Sequence, residues 1–128
     1  MYCKLDRDNV MLKKHYPDIA LAGSLERVLQ HELTLIESRL RVREIYDSQN
    51  DISNYVFVKN KSRGSKVYIA SWCRLFVYDF RESGVVIASG STSHPSTAAE
   101  AIDFWNSYPS SIYELSVLFP FIKLAEVN

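Results

Sequence analysis

The chain reads as an α+β fold: an antiparallel meander of four or five strands, with an N-terminal helix and two C-terminal helices packed on one face. Three observations lead there. Leu25, Val28, Leu29, Leu33 and Ile36 recur at three- and four-residue steps, as do Ala98, Ala101, Ile102 and Trp105, which sets each group along one helical stripe. Between the two stripes the period falls to two over several short runs, the mark of strands. Serines and threonines stand where helices need caps, as at Ser24, Thr97 and Ser111.

In chain order, Asn9 to His15 suits a short helix that Tyr16-Pro17-Asp18 stops, because proline disfavours helix in the residue before it. Ser24 then caps a helix over residues 25–38. The period changes at Arg39, where Leu40, Val42 and Glu44 alternate with Arg41, Arg43 and Ile45, as in a strand with one buried and one wet face. Residues 46–51 are polar and loop-like. Strands follow over 55–59 and 66–73, joined around Ser62-Arg63-Gly64-Ser65, where Gly64 can take the positive φ that a hairpin turn often requires. A further hairpin joins 75–80 to 85–89 around Arg81-Glu82-Ser83-Gly84. Several of these strands are apolar on both faces. The face without helices therefore needs cover from the N-terminal segment, from sheet curvature or from a partner.

After the sheet, Thr97 and Glu100 have capping-box spacing, and Pro95 suits the approach to a helix start. Trp105 is the expected core anchor. Ser111 and Glu114 repeat the box, and Pro120 ends that last helix, with Phe119-Pro120-Phe121 as a clasp.

Composition bounds the function. At 128 residues the chain is expected to be one domain over residues 1–128. Fifteen basic residues balance fifteen acidic ones, so no global charge draws it to nucleic acid or an anionic membrane. Cys3 and Cys73 are too sparse for a disulfide framework and fit a reducing compartment. The N-terminus mixes both charges early and lacks the apolar core of a signal peptide. No apolar run approaches a membrane span. These features read as an unprocessed bacterial cytoplasmic protein.

Chemistry is sparsely signalled. His15, His31 and His94 are far apart, and neither CxxC nor HExxH spacing occurs, so no metal or other cofactor is expected. Ser89 to Ser93 set hydroxyls beside His94 with Asp103 downstream, yet the G-x-S-x-G elbow is missing and no catalytic residue is assigned. Ser91, Thr92, Ser93 and His94 are also the parts of a ligand or anion site at a helix start, although capping explains them more economically. Lys59, Lys61, Arg63 and Lys66 form the one local charge anomaly, while the last third leans acidic. With Tyr108 and Tyr113 at helix ends, they are the expected partner-binding residues, tyrosine being favoured in binding patches. A solvated hairpin tip and half-buried sheet tyrosines account for the same residues.

The run Ala88-Ser89-Gly90-Ser91-Thr92, followed by Ala101 and Trp105, then Ser111, Glu114-Leu115 and Phe119-Pro120-Phe121, resembles an uncharacterised family of small bacterial proteins sometimes labelled with natural-product biosynthesis. Gly23-Ser24-Leu25 is also similar. The resemblance implies a fold and transfers no catalytic residue. The expected role is a non-enzymatic domain that binds another protein, in its most concrete form an immunity-type protein neutralising a cognate bacterial toxin. A small enzyme or ligand-binding accessory protein of natural-product biosynthesis is the alternative. A second copy of the chain is an allowed partner, and nucleic acid is disfavoured.

Overall fold

Among the described residues, six antiparallel strands lie side by side in chain order: β1 (Val42–Glu44), β2 (Tyr55–Asn60), β3 (Arg63–Ile69), β4 (Phe76–Glu82), β5 (Val85–Thr92) and β6 (Lys123–Leu124). Helices α1 (Pro17–Ala22) and α2 (Leu25–Leu35) precede the sheet, and α3 (Pro95–Ser107) and α4 (Ile112–Leu118) fall between β5 and β6. This computed structural model describes residues 13–44, 55–70, 72–119 and 122–124. The expected loop over 46–51, the N-terminal residues through 12 with Cys3, and Pro120-Phe121 lie outside them.

The α+β meander holds, with one strand more than expected. β6 returns after the last helix and sets Leu124 opposite Ala88 and Lys123 opposite Ser89. Because side chains alternate along a strand, the register divides the sheet into two faces. Val42, Val56, Val58, Val67, Phe76, Tyr78, Phe80 and Ala88 are buried toward the helices. α2 adds Leu25, Val28, Leu29 and Leu33, and α3 adds Ala98, Ala101, Ile102 and Trp105. Trp105 is the expected anchor: its ring meets Phe80 edge-on at 6.3 Å and its indole N–H donates to the Arg81 carbonyl at 3.1 Å.

Helix ends follow local chemistry. Ser24 Oγ accepts the Arg27 N–H at 3.2 Å, and Ser111 Oγ accepts the Glu114 N–H at 3.1 Å, so both expected caps are used. α2 ends at Leu35, three residues early, because Glu37 turns left-handed at φ 60° and the Glu37 and Ser38 N–H groups fold back onto the Thr34 and Leu33 carbonyls. The Gln30 amide then acts as a surrogate strand, accepting from Val42 N–H at 2.8 Å and donating to the Leu40 carbonyl at 3.1 Å. The Thr97–Glu100 box does not start α3. Pro95 is itself the first helical residue, with His94 at the cap position, since proline's fixed φ suits that place and its missing N–H is no loss there.

Pro17 likewise opens a helix that the sequence reading did not foresee. Residues 13–15 are helical, Tyr16 breaks the run at φ −134°, and α1 begins at Pro17. Tyr16 is fully buried. Its hydroxyl lies 2.7, 2.8 and 3.1 Å from the carbonyl oxygens of Ala70, Cys73 and Leu75, sharing one proton among them, and accepts the Leu75 N–H at 2.9 Å. Burial holds this phenol above its ordinary pKa, which keeps it a donor.

Both hairpin turns differ from expectation in detail. The first occupies Lys61-Ser62, with Lys61 at φ 58°, and not Gly64, which pairs with Lys59 inside the ladder. What position 64 requires is space: a Cβ there would stand 3.1 Å from the Phe57 ring lying over it and 3.2 Å from the Val58 carbonyl. The second is a two-residue turn at Ser83-Gly84, both at positive φ as a type I′ turn demands.

Arg63 joins these parts. Its guanidinium carbon lies 3.6 Å from the Trp105 ring centroid, Nε donates to Glu82 at 2.9 Å, and the remaining nitrogens donate to the carbonyls of Trp105 (3.0 Å), Tyr108 (3.2 Å) and Ser110 (2.6 Å). A lysine keeps the charge but not the planar fork. Arg63→Lys is expected to cost about 2 kcal/mol and Arg63→Ala about 3 kcal/mol in urea unfolding, from the loss of charged hydrogen bonds and a partly desolvated cation–π contact. Unfolding midpoints equal to wild type would contradict this role.

Candidate functional site

The structure separates the residues that the sequence grouped. Strand parity sends Lys59 and Lys66 to the face away from the helices, holds Lys61 at the turn tip, and turns Arg63 inward onto Trp105. Lys66 Nζ sits 4.3 Å from the Tyr55 ring centroid, and the Arg81 guanidinium covers Phe57 at 5.5 Å. Arg81 is also bound to both oxygens of Asp79, at 2.9 to 3.1 Å, and Asp79 accepts the Lys66 N–H at 2.9 Å. The hairpin cations therefore belong to two surfaces. Only Lys59 and Lys66 share a face, and they share it with Arg81.

Tyr108 and Tyr113 are both exposed. Tyr108 tilts against Phe104 at 6.0 Å, and Tyr113 stands on α4 beside Val117, one turn later. Leu115 is the residue that α4 buries, so Tyr113, Val117 and Leu118 face outward at 69, 78 and 58% exposure. With Phe104 and Glu114 they border an open groove of about 520 Å³ whose lining is almost wholly apolar. Val117 and Leu118 on α4, and Phe104 on α3, are candidate residues that the sequence did not mark. The short helix has apolar residues on nearly every side, so spacing alone does not tell which side packs.

Ser91, Thr92, Ser93 and His94 are contiguous but not convergent. Ser91 is exposed on the outer sheet face opposite Val77, whereas Thr92 stands opposite Phe76 on the helix side. Thr92 Oγ1 accepts the His94 N–H at 3.2 Å, and the Ser93 carbonyl accepts from Arg74 Nε at 3.0 Å. Asp103 lies nine residues beyond His94 along α3, about 13 Å by helical rise. Its Oδ1 accepts from Ser38 Oγ at 2.5 Å and Ser107 Oγ at 2.8 Å. A His94–Asp103 relay is thus ruled out by geometry.

A polar hollow of about 390 Å³ lies at the far end of α3, between the α2–β1 connection and β2, with Asp103, Ser107, Arg39 and Asn60 in its wall and Lys59 at its rim. Among the described residues, no group of three or more His, Cys, Asp or Glu is placed to hold a metal ion, and Cys73 is a free thiol. No helix among them is long and apolar enough to cross a membrane.

Arg74 ties the turn before α3 to the N-terminal helix. Its two terminal nitrogens donate to the two Asp18 oxygens at 2.8 and 2.9 Å, and Nη1 also reaches the His15 carbonyl at 3.2 Å. The Arg74 hydrogen bonds pull the Asp18 carboxyl below its ordinary pKa, against the opposing effect of burial. A lowered folded-state pKa gives stability that is present above the ordinary carboxylate range and lost as pH falls through it toward the folded value. Both side chains are about one-third exposed, so the pair is worth about 1 kcal/mol at most. Asp18→Asn should lower stability by that amount at pH 7. The difference from wild type should shrink in urea melts taken from pH 5 down to about 3; a constant difference would remove the ion pair as its cause.

Comparison with protein-family models, curated proteins and solved structures finds no match to this chain.

Proposed function

We propose that this chain is a non-enzymatic protein-binding domain, in its concrete form an immunity-type protein that neutralises a cognate bacterial toxin by occupying it. The observation that carries the reading is the ridge of Tyr113, Val117 and Leu118 around the apolar groove against Phe104. Large apolar side chains clustered at one exposed site mark interaction surfaces, whereas scattered ones need no explanation. Tyrosine beside aliphatic anchors suits the centre of a protein interface. Neutralisation by occupancy requires a firm surface and no chemistry. α4 is fixed by the Ser111 cap, by buried Leu115 and by Phe104 against Phe119 at 6.3 Å.

The test is co-expression with the product of the adjacent gene, followed by purification of the complex and a growth-protection assay. A complex that protects the host is expected. Tyr113→Ser combined with Val117→Asp should weaken it at least tenfold, about 1.4 kcal/mol, with the unfolding midpoint unchanged because both side chains are exposed. Failure to find either complex or protection, or undiminished affinity in the double variant, would sink the proposal.

A further inference from the structure

We infer that the sheet face turned away from the helices is a second docking surface, specific for an acidic extended segment of a partner protein. The inference rests on the reading that the chain binds proteins, and concerns a surface separate from the α4 ridge. Across the described strands, this face presents Arg43, Lys59, Lys66, Arg81 and Lys123, and its carboxylate is Asp79, already bound to Arg81. The register makes the set. Arg43, Lys66 and Lys123 stand in one row across the sheet, with Phe57, Asp79 and Ser89 between them, and Lys59 and Arg81, both opposite Gly64, stand in the next row. These residues come from five strands and eighty positions of sequence, in a chain whose formal net charge is zero. Among the described residues, carboxylates occur on the helices at Glu26, Glu32, Glu100 and Glu114. A local excess of positive charge on one face of a neutral molecule selects anions there and steers their approach.

Protein is favoured over nucleic acid by what covers the aromatic rings. Single-stranded nucleic acid is held by bases stacking on bare aromatic platforms. Here Lys66 caps Tyr55, Arg81 caps Phe57, and the Phe57 ring is laid down on Gly64. Among the described strand residues of this face, Tyr68 is the aromatic that projects, at 43% exposure, with Trp72 exposed beyond the end of β3. What remains are cation heads above half-buried apolar surface, suited to carboxylates interleaved with small apolar side chains. Five strand spacings of about 4.8 Å give a row about 24 Å long, which an extended segment of about seven residues spans. Alternating carboxylates in that segment recur every 7 Å or so on one side.

Fluorescence anisotropy of the full chain would test this with three labelled probes: an eight-residue peptide alternating glutamate and alanine, its glutamine–alanine counterpart, and an eight-nucleotide oligothymidylate. At low salt the glutamate peptide should bind at least tenfold tighter than either of the others. Its affinity should fall at least fivefold as ionic strength rises from about 0.02 to about 0.2 M, since Arg43, Lys59 and Lys123 are solvent-exposed. Lys59→Glu with Lys123→Glu should weaken it at least tenfold. Lys13→Glu with Lys14→Glu, an equal change of net charge before Tyr16, should stay within twofold. Both pairs are exposed, and circular dichroism confirms folding. Equal binding of the two peptides, equal loss in the control pair, or tighter binding of the oligothymidylate would overturn the inference. The Tyr113→Ser and Val117→Asp variant should bind the peptide normally, so failure of the ridge proposal and failure of this one are told apart.

Discussion

Among the described side chains, none donates to more groups than the Arg63 guanidinium. Arg63 lies flat on Trp105 and spends its donors on Glu82 and on the carbonyls that end α3 and lead toward α4. A helix leaves its last carbonyls without internal partners, and here a strand residue supplies the donors. That single contact fixes how far α3 reaches across the sheet, where the chain turns at Tyr108 and Ser110, and how the β2–β3 hairpin sits under the helix. The indole answers with its own bond to the Arg81 carbonyl, so Trp105 is held by strands on both its apolar and its polar edge. The α4 ridge and the cationic sheet face are both built outward from this joint.

How much of this was legible follows from the range of each interaction. The stripes of α2 and α3 and the serine caps at Ser24 and Ser111 are local, decided within one or two turns, and were read correctly except for Ile36, which falls beyond α2 and is exposed. β6 was not legible, because its two residues are exposed and its pairing with Ala88 and Ser89 is fixed only after two helices have intervened. The first hairpin shows how one misplaced turn propagates. Assigning the turn to Gly64 treats its missing side chain as a matter of φ, whereas the structure uses it to seat Phe57. Moving the turn to Lys61-Ser62 fixes which face each following side chain takes. Arg63 then leaves the group of surface lysines and becomes the joint of the fold, a role with no mark in local sequence. The candidate surfaces were half legible for the same reason: Lys59, Lys66 and Tyr113 stood out as residues, but Arg43, Arg81, Lys123 and Val117 acquire meaning only through register and packing.

The balanced composition conceals a polarised molecule. Among the described residues, cations collect on the sheet face turned away from the helices and carboxylates occur on the helices, so formal neutrality describes a sum and not a surface. Two such surfaces on one small chain suit a partner engaged in two ways, by apolar contact at α4 and by charge across the sheet. Asp18 with Arg74 and Asp103 with its two serines stay out of this division, being used to tie connections together.

The Tyr16 hydroxyl makes the docking of α1 depend on a distant part of the chain. The hairpins at Lys61-Ser62 and Ser83-Gly84 close over two residues, but Tyr16 meets its carbonyl partners across 54 to 59 residues of chain. Closing a loop of that size costs about 3.5 kcal/mol in chain entropy beyond a constant, more than one hydrogen bond returns, so the contact also rests on burial of the Tyr16 ring against Phe76. The hydroxyl finds its acceptors only where β3 ends and β4 begins, so the Tyr16 contact is conditional on the hairpins and couples α1 to the state of the sheet.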